Sequence, residues 1–208
     1  ALEIIPDIIL TDVMMPVMDG FEMLNRLKTD ILTDHIPVVV LTARGDFPSK
    51  LTGLETGADH YLVKPFSEKE LFLKLDNLLE ARRKMQQKLG ILPPITVKEN
   101  TQYEQEIQFM SRINALLDEH LPDEDFGIKD ICSSLNMSRP QLYRKFAALT
   151  EKSIGRYIRS YRLHKAKLMI EQQGKNVSEA ALANGFKNLS HFSASFREEF
   201  GYPASDLL

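Results

Sequence analysis

Three side chains in the front third of the chain are of the types that phosphoryl chemistry needs, and each closes a short apolar run. They are Asp12 in PDIILTDVMMPVMDG, Thr42 in VVVLTAR and Lys64 in GADHYLVKPF. A carboxylate such as Asp12 can attack phosphorus and form an acyl phosphate. A hydroxyl such as that of Thr42 can donate to a phosphoryl oxygen, and an ammonium such as that of Lys64 can stand beside the charge that develops. Taken singly, the three have ordinary readings as a turn aspartate, a capping threonine and a solvated lysine. Separations of 30 residues from Asp12 to Thr42 and 22 from Thr42 to Lys64 mean that only a fold can unite them.

The elements that would do so are legible. Ile8 to Leu10 and Val38 to Leu41 are β-branched-rich runs punctuated by Pro6, Pro16 and Pro37, the pattern of buried parallel strands, and Tyr61 to Val63 is a third run. Helical stretches lie between them, at Gly20 to Lys28 and at Pro48 to Glu55 with Gly57 after it. The order βαβαβ predicts a parallel sheet covered by helices, and in such sheets chemistry collects outside the carboxyl ends of the strands. Asp12, Thr42 and Lys64 are therefore expected at one rim. Ser67 and Glu70 match a capping box that opens a helix with Leu71, Leu75, Leu78 and Leu79 at helical spacing. Its polar continuation through Arg82, Arg83 and Lys84 to Lys88 is stopped by Gly90 and Pro93-Pro94. We divide the chain into a first domain over residues 1–82, a linker over 83–104 and a second domain over 105–208.

From Tyr103 onward every signal is helical: Glu106 to His120, Ile128 to Leu135, Ser138 to Leu149, Ile154 to Gln172, Val177 to Asn184 and Leu189 to Phe200. A short helix, a turn and a longer helix occur twice, as in helix-turn-helix units whose second helix enters a major groove. In GIKDICSSLNMSRPQLYRKFAAL, Ile131, Leu135, Met137, Leu142 and Phe146 form the expected core, and Cys132, where a small packed residue is expected, reads as core rather than reactive. Ser138 caps, while Arg139, Gln141, Tyr143 and Arg144 point outward. In VSEAALANGFKNLSHFSASFREEFG the core is Phe186, Phe192 and Phe196, the cap Asn188, and the outward set Ser190, His191, Ser193, Ala194 and Arg197. Arg156, Arg159, Arg162 and Lys165 on the joining helix read as a solvated face more readily than as base contacts.

Charge is divided to match. Residues 126–208 hold 13 Lys and Arg against 7 Asp and Glu, and the residues before them 13 against 22, so a segment of −9 precedes one of +6. A basic segment suits the polyanionic backbone of nucleic acid. One cysteine excludes an internal disulfide, and five scattered histidines offer no zinc spacing. No apolar run approaches a membrane span, and no acid–base or nucleophile–base pair beyond the Asp12 group suggests an enzyme.

In combination, the DVMMPVMDG loop, the strand-end Thr42, the KPF turn and the spacing make residues 3 to about 82 resemble the receiver domain of response regulators. The resemblance implies that Asp12 accepts phosphate from a histidine kinase domain and that the carbonyl of Met14, with Asp12, helps ligate Mg2+. It also implies a cis Lys64-Pro65 bond and a switch role for Tyr61, whose other reading is a half-buried strand aromatic. The family's acidic pair, which completes the Mg2+ site, belongs to a first strand, whereas this chain starts at what should be the third. We expect poor phosphorylation of the chain as given, and a bare edge at Ile8 to Leu10 with homodimerisation as its corollary.

MSRPQLYRKF, YIRSYRLHKAKLMI and GFKNLSHFSASFREEFGYPAS make residues 106–208 resemble the AraC-type DNA-binding domain. That implies one protomer placing two recognition helices in successive major grooves of double-stranded DNA. Ala194, where the family often has a base-contacting arginine, and Glu198-Glu199, where basic residues are common, depart from the pattern. The expected fold class is α/β plus all-α, a truncated flavodoxin-like doubly wound parallel sheet followed by an all-helical domain with two helix-turn-helix units. The combined resemblance implies a cytoplasmic transcription regulator, either free-standing or the C-terminal part of a membrane-anchored hybrid regulator. A pure protein-interaction module is the rival from another class.

Overall fold

A computed structural model of the chain describes residues 4–43, 57–90, 104–150 and 152–208. The chain divides into two compact units, Ala1–Met85 and Gln86–Leu208.

The first unit is built on three parallel strands in the order β1-β2-β3: β1 (Ile9–Asp12), β2 (Val38–Ala43) and β3 (His60–Lys64). Asp12 pairs with Leu41, Thr42 with Val63 and Ala43 with Lys64, so all three strands end at one rim. Strand alternation sends successive β2 side chains to opposite faces. Val38 and Val40 meet Val13 and Leu24 under helix α1 (Gly20–Thr29), while Val39 joins Leu62 and Leu78 under helix α2 (Glu68–Leu89). Central β2 is fully buried at Val38, Val39 and Val40. At β1, where a bare edge is expected, Leu10 is 44% exposed, and among the described residues β1 pairs with β2 alone.

Local chemistry sets the helix ends. Asp19 caps α1, its Oδ1 accepting from the amides of Phe21 (2.9 Å) and Glu22 (2.8 Å). At the far end of α1, Lys28 donates to the carbonyls of Asp34 and Ile36 and to Asp59 Oδ2 at 3.0 Å, and Asp59 also accepts from the Val38 amide at 2.8 Å. Ser67 Oγ accepts from the Glu70 amide at 3.1 Å, and α2 continues to Leu89, as the polar extension predicts. The expected Pro48 to Glu55 helix lies outside the described residues, as does most of the linker.

The second unit is helical: α3 (Glu104–Glu119), α4 (Ile128–Ser134), α5 (Arg139–Thr150), α6 (Ile154–Gln173), α7 (Val177–Ala183), α8 (Leu189–Phe200) and a final 3-10 turn (Ala204–Leu207). Long α6 serves two cores. Near its start Tyr157 packs edge-on against Phe146 of α5 at 5.1 Å and donates to Asn114 Oδ1 at 2.8 Å. Leu163, Ala166 and Ile170 further along pack with Ala180, Ala181, Phe186, Phe192 and Phe196. Ser153, Asn176 and Asn188 cap α6, α7 and α8 through their side-chain oxygens, and Gly174 and Gly201 close α6 and α8 with positive φ of 63° and 82°.

Three expectations change here. Arg162 is not part of a solvated face: it is 7% exposed, because its guanidinium donates to the Asp123 carbonyl at 2.5 Å and the Phe126 carbonyl at 3.1 Å. Lys165 is tied to Asp118 at 2.7 Å, leaving Arg156 and Arg159 as the exposed arginines of that row. Cys132 is half-buried rather than core, lining an open groove with Lys129, Ser133, Asn136, Met137 and Arg139.

Candidate functional sites

At the sheet's rim, the structure brings Asp12 and Lys64 into contact although they are 52 residues apart in sequence. Asp12 Oδ2 accepts from the Lys64 ammonium, and Oδ1 accepts from the Met14 amide at 3.3 Å. The hydrogen bond from Lys64 holds the Asp12 carboxyl below its usual range, against a smaller opposing effect of desolvation. Both side chains remain partly open to water. The Asp12 backbone is held tightly by comparison. Val13 donates to the Leu41 carbonyl at 3.0 Å, Gly20 donates to the Val13 carbonyl at 3.0 Å, and the Thr11 hydroxyl donates to the Asp12 carbonyl at 3.2 Å.

Gly20 is the residue whose role sequence reading missed. A Cβ there would lie 2.3 Å from the Asp12 carbonyl oxygen, so α1 can begin so close to the strand only with glycine at that position. The Asp-Gly pair before a helix was the available signal.

Thr42 is placed less simply. It is 2% exposed, next to the strand end, and its hydroxyl donates to the Ala43 carbonyl at 3.1 Å rather than toward Asp12. Tyr61 sits opposite Val40 on β3, partly buried against the cluster under α1. Met14 is 76% exposed. The Lys64-Pro65 bond is cis. Receiver domains generally bind Mg2+, which takes near-octahedral oxygen ligands. Among the described residues no three acidic, histidine or cysteine side chains gather to hold a metal, and Asp12 is one carboxylate already engaged by Lys64. This donor set does not fit the ion.

In the back unit, each helix-turn-helix pair buries the core expected of it: Ile131, Leu135, Met137, Leu142 and Phe146 in the first, Phe186, Phe192 and Phe196 in the second. On α5, Arg139, Tyr143 and Arg144 are exposed. Gln141 is half-buried, its Oε1 accepting from the Ser138 amide at 2.8 Å, so it helps cap the helix instead of pointing freely outward. On α8, Ser190, His191, Ser193, Ala194 and Arg197 are exposed, beginning directly after the Asn188 cap, whose Oδ1 accepts from the His191 amide at 3.0 Å. The first face therefore offers two exposed arginines and a tyrosine, the second a single arginine with a histidine and small side chains. No helix among the described residues is long and apolar enough to cross a membrane.

Residues 3–76 match the family model of the response regulator receiver domain, and residues 131–208 that of a helix-turn-helix domain. Residues 3–76 form a receiver domain and residues 131–208 an AraC-type helix-turn-helix domain. The histidine kinase P4 of Formosa agariphila is 35% identical over 196 residues, 94% of this chain and 14% of that protein. The phosphate regulon transcriptional regulatory protein PhoB of Pseudomonas aeruginosa is 50% identical over 74 residues, 36% of this chain and 32% of its own length. Among solved structures, the C-terminal domain of AraT, a response regulator from Geobacillus stearothermophilus, aligns with a TM-score of 0.44 at 19% identity, over 48% of this chain and 82% of that one. The chain thus spans less than a third of the length of either of these two curated relatives.

Proposed function

We propose that this chain is the output portion of a two-component regulator, in which phosphorylation of Asp12 in the receiver domain controls sequence-specific binding of double-stranded DNA by the helix-turn-helix domain. The observation that carries this reading is the Asp12–Lys64 pair at the strand ends of a receiver domain, on the same chain as two exposed helix-turn-helix faces. Asp12 is the phosphoacceptor. Lys64 compensates the negative charge that arrives with the phosphoryl group, and Thr42 takes part once its hydroxyl turns from the Ala43 carbonyl. The phosphodonor is a histidine kinase domain, a reading supported by the relative of that name that aligns across both halves in the same order. Tyr61 responds to the threonine as the switch aromatic, and the molecule works in the cytoplasm as a regulator rather than as an enzyme.

Arg139, Tyr143 and Arg144 of α5 are the main base and phosphate contacts, with Ser138 at the helix start. Ser190, His191, Ser193 and Arg197 of α8, after the Asn188 cap, make a second and weaker reading face, because only one of them is a permanent cation. Selection from a random duplex pool with the full chain, followed by affinity measurement against ionic strength, tests this. Affinity should fall with a log–log slope of about −0.9 per phosphate contact, and Arg144→Ala should relax preference at one or two base pairs. No duplex affinity at low salt refutes the reading.

A further inference from the structure

Two helices that read one duplex need a fixed separation, and a single buried side chain joins their supports. Arg162 of α6 donates to the carbonyls of Asp123 and Phe126, in the segment that leads into α4 and so into the first helix-turn-helix unit. That segment is itself held, with buried Phe126 stacked on His120 at 4.3 Å. The turn before α8 also closes on this guanidinium. Gly185 has φ of 77°, and a Cβ there would lie 2.7 Å from an Arg162 terminal nitrogen and 2.8 Å from the Leu121 carbonyl oxygen. Just beyond, Lys187 reaches Glu124 at 3.2 Å and Asp125 at 3.6 Å, pinning the second turn to the same acidic segment at the surface. Connecting helix, first unit and second turn thus meet at one guanidinium.

We propose that Arg162 is a positioning residue that sets the separation of α5 and α8, and through it the number of base pairs between the two half-sites this chain reads. The inference rests on the DNA-binding reading above. Both carbonyls accept from one terminal nitrogen, Nη2, while the other, Nη1, is the atom a Cβ at Gly185 would meet, and a lysine, with a single nitrogen, cannot occupy both places. One inserted base pair turns the second half-site by roughly 34° and moves it by about 3.4 Å, which a rigidly joined pair of helices does not follow.

The test uses the full 208-residue chain and a bipartite site obtained by selection. Affinities are measured for that site and for the same site with one base pair inserted between its halves. The wild-type chain should bind the lengthened site at least about tenfold more weakly, the scale of one mismatched base pair. Folded Arg162→Lys should lose that discrimination, with a ratio below about twofold, and should bind the selected site only as well as it binds an isolated half-site. Lys187→Ala removes the exposed outer pair and should give an intermediate ratio. If Lys187 served only a DNA phosphate, its removal would weaken binding to both sites alike and leave the ratio where it was. Wild-type ratios retained in folded Arg162→Lys overturn the proposal, and if that variant does not fold, an unchanged ratio in Lys187→Ala overturns it. A wild-type chain indifferent to the inserted base pair also overturns it while leaving the DNA-binding reading intact; a chain that binds no duplex at all removes both.

Discussion

Replacing glycine by alanine should have opposite effects at two helix starts in this chain. At Gly20 the added Cβ would lie 2.3 Å from the Asp12 carbonyl oxygen, 3.0 Å from its carbonyl carbon and 3.1 Å from the Val13 Cα. Ordinary contact needs a retreat of about 1 Å, and every atom in the way is backbone, held by the Val13–Leu41 and Gly20–Val13 hydrogen bonds and the pairing of Asp12 with Leu41. Forcing an extra carbon into so tight a place costs about 1–3 kcal/mol, toward the upper end because no flexible side chain can yield. Removing a helical glycine returns up to about 1 kcal/mol, so the net loss is about 1–2 kcal/mol. At Gly155, the second residue of α6, a Cβ meets nothing within 4 Å, and the same substitution should stabilise by about 0.5–1 kcal/mol.

Calorimetry of the full chain reads both. Gly20→Ala should lower the transition of the receiver unit by roughly 4–15 °C, and Gly155→Ala should raise that of the helical unit by roughly 2–6 °C. A Gly20→Ala chain as stable as the wild type would refute the claim that close approach of α1 to the Asp12 backbone holds the rim together, and a Gly155→Ala chain that is destabilised would refute the reading of open space at α6.

The same rim and its supports yield further expectations. Lys28→Ala strips three acceptors of their ammonium and leaves Asp59 held only by the Val38 amide, so it should cost about 2–4 kcal/mol in urea unfolding of the receiver unit; a loss under about 0.5 kcal/mol would count against the anchor. Lys64 lowers the Asp12 pKa in the folded chain, so the pair contributes stability above the usual carboxyl value of 3.8 and loses it as pH falls through the lower folded value. Lys64→Met should therefore raise the Asp12 titration midpoint, read by carboxyl-carbon NMR, and an unmoved midpoint contradicts the assigned cause. With one engaged carboxylate at the rim, incubation with a small-molecule phosphodonor and Mg2+ should give slow, sub-stoichiometric phosphate gain by intact mass; rapid gain of one phosphate contradicts the coordination argument.

What could be foreseen from sequence divides by the range of the interaction. Strands and helices are local, and β-branched runs, prolines, Asn188 and the Leu71/Leu75/Leu78 spacing placed them within a residue or two. Asp12 and Lys64 were foreseeable as neighbours because parallel strands share a carboxyl rim. Arg162 was not, since its burial depends on carbonyls 36 and 39 residues away, and a row of cations three apart looks alike from within one helix. Lys28 with Asp59, 31 residues apart, escaped for the same reason, whereas Gln141 turned back to the Ser138 amide is a local pair whose Ser-x-x-Gln capping-box spacing was open to reading.

Range also decides how the chain's charge should be understood. A net charge of −3 predicts indifference or repulsion toward a polyanion, yet at physiological ionic strength fields decay over about 8 Å, so a duplex responds to the surface it touches. In the back unit several cations are already engaged internally: Arg162 on carbonyls, Lys165 on Asp118, Lys187 on Glu124 and Asp125. The +6 counted over residues 126–208 therefore overstates what phosphate can meet, and Arg139, Arg144, Arg156, Arg159 and Arg197 are the exposed arginines on the reading and joining helices. If these five carry the phosphate contacts, the log–log salt slope lies near about −4 to −5. A slope of about −8 or steeper would require phosphate contacts from cations beyond these five arginines.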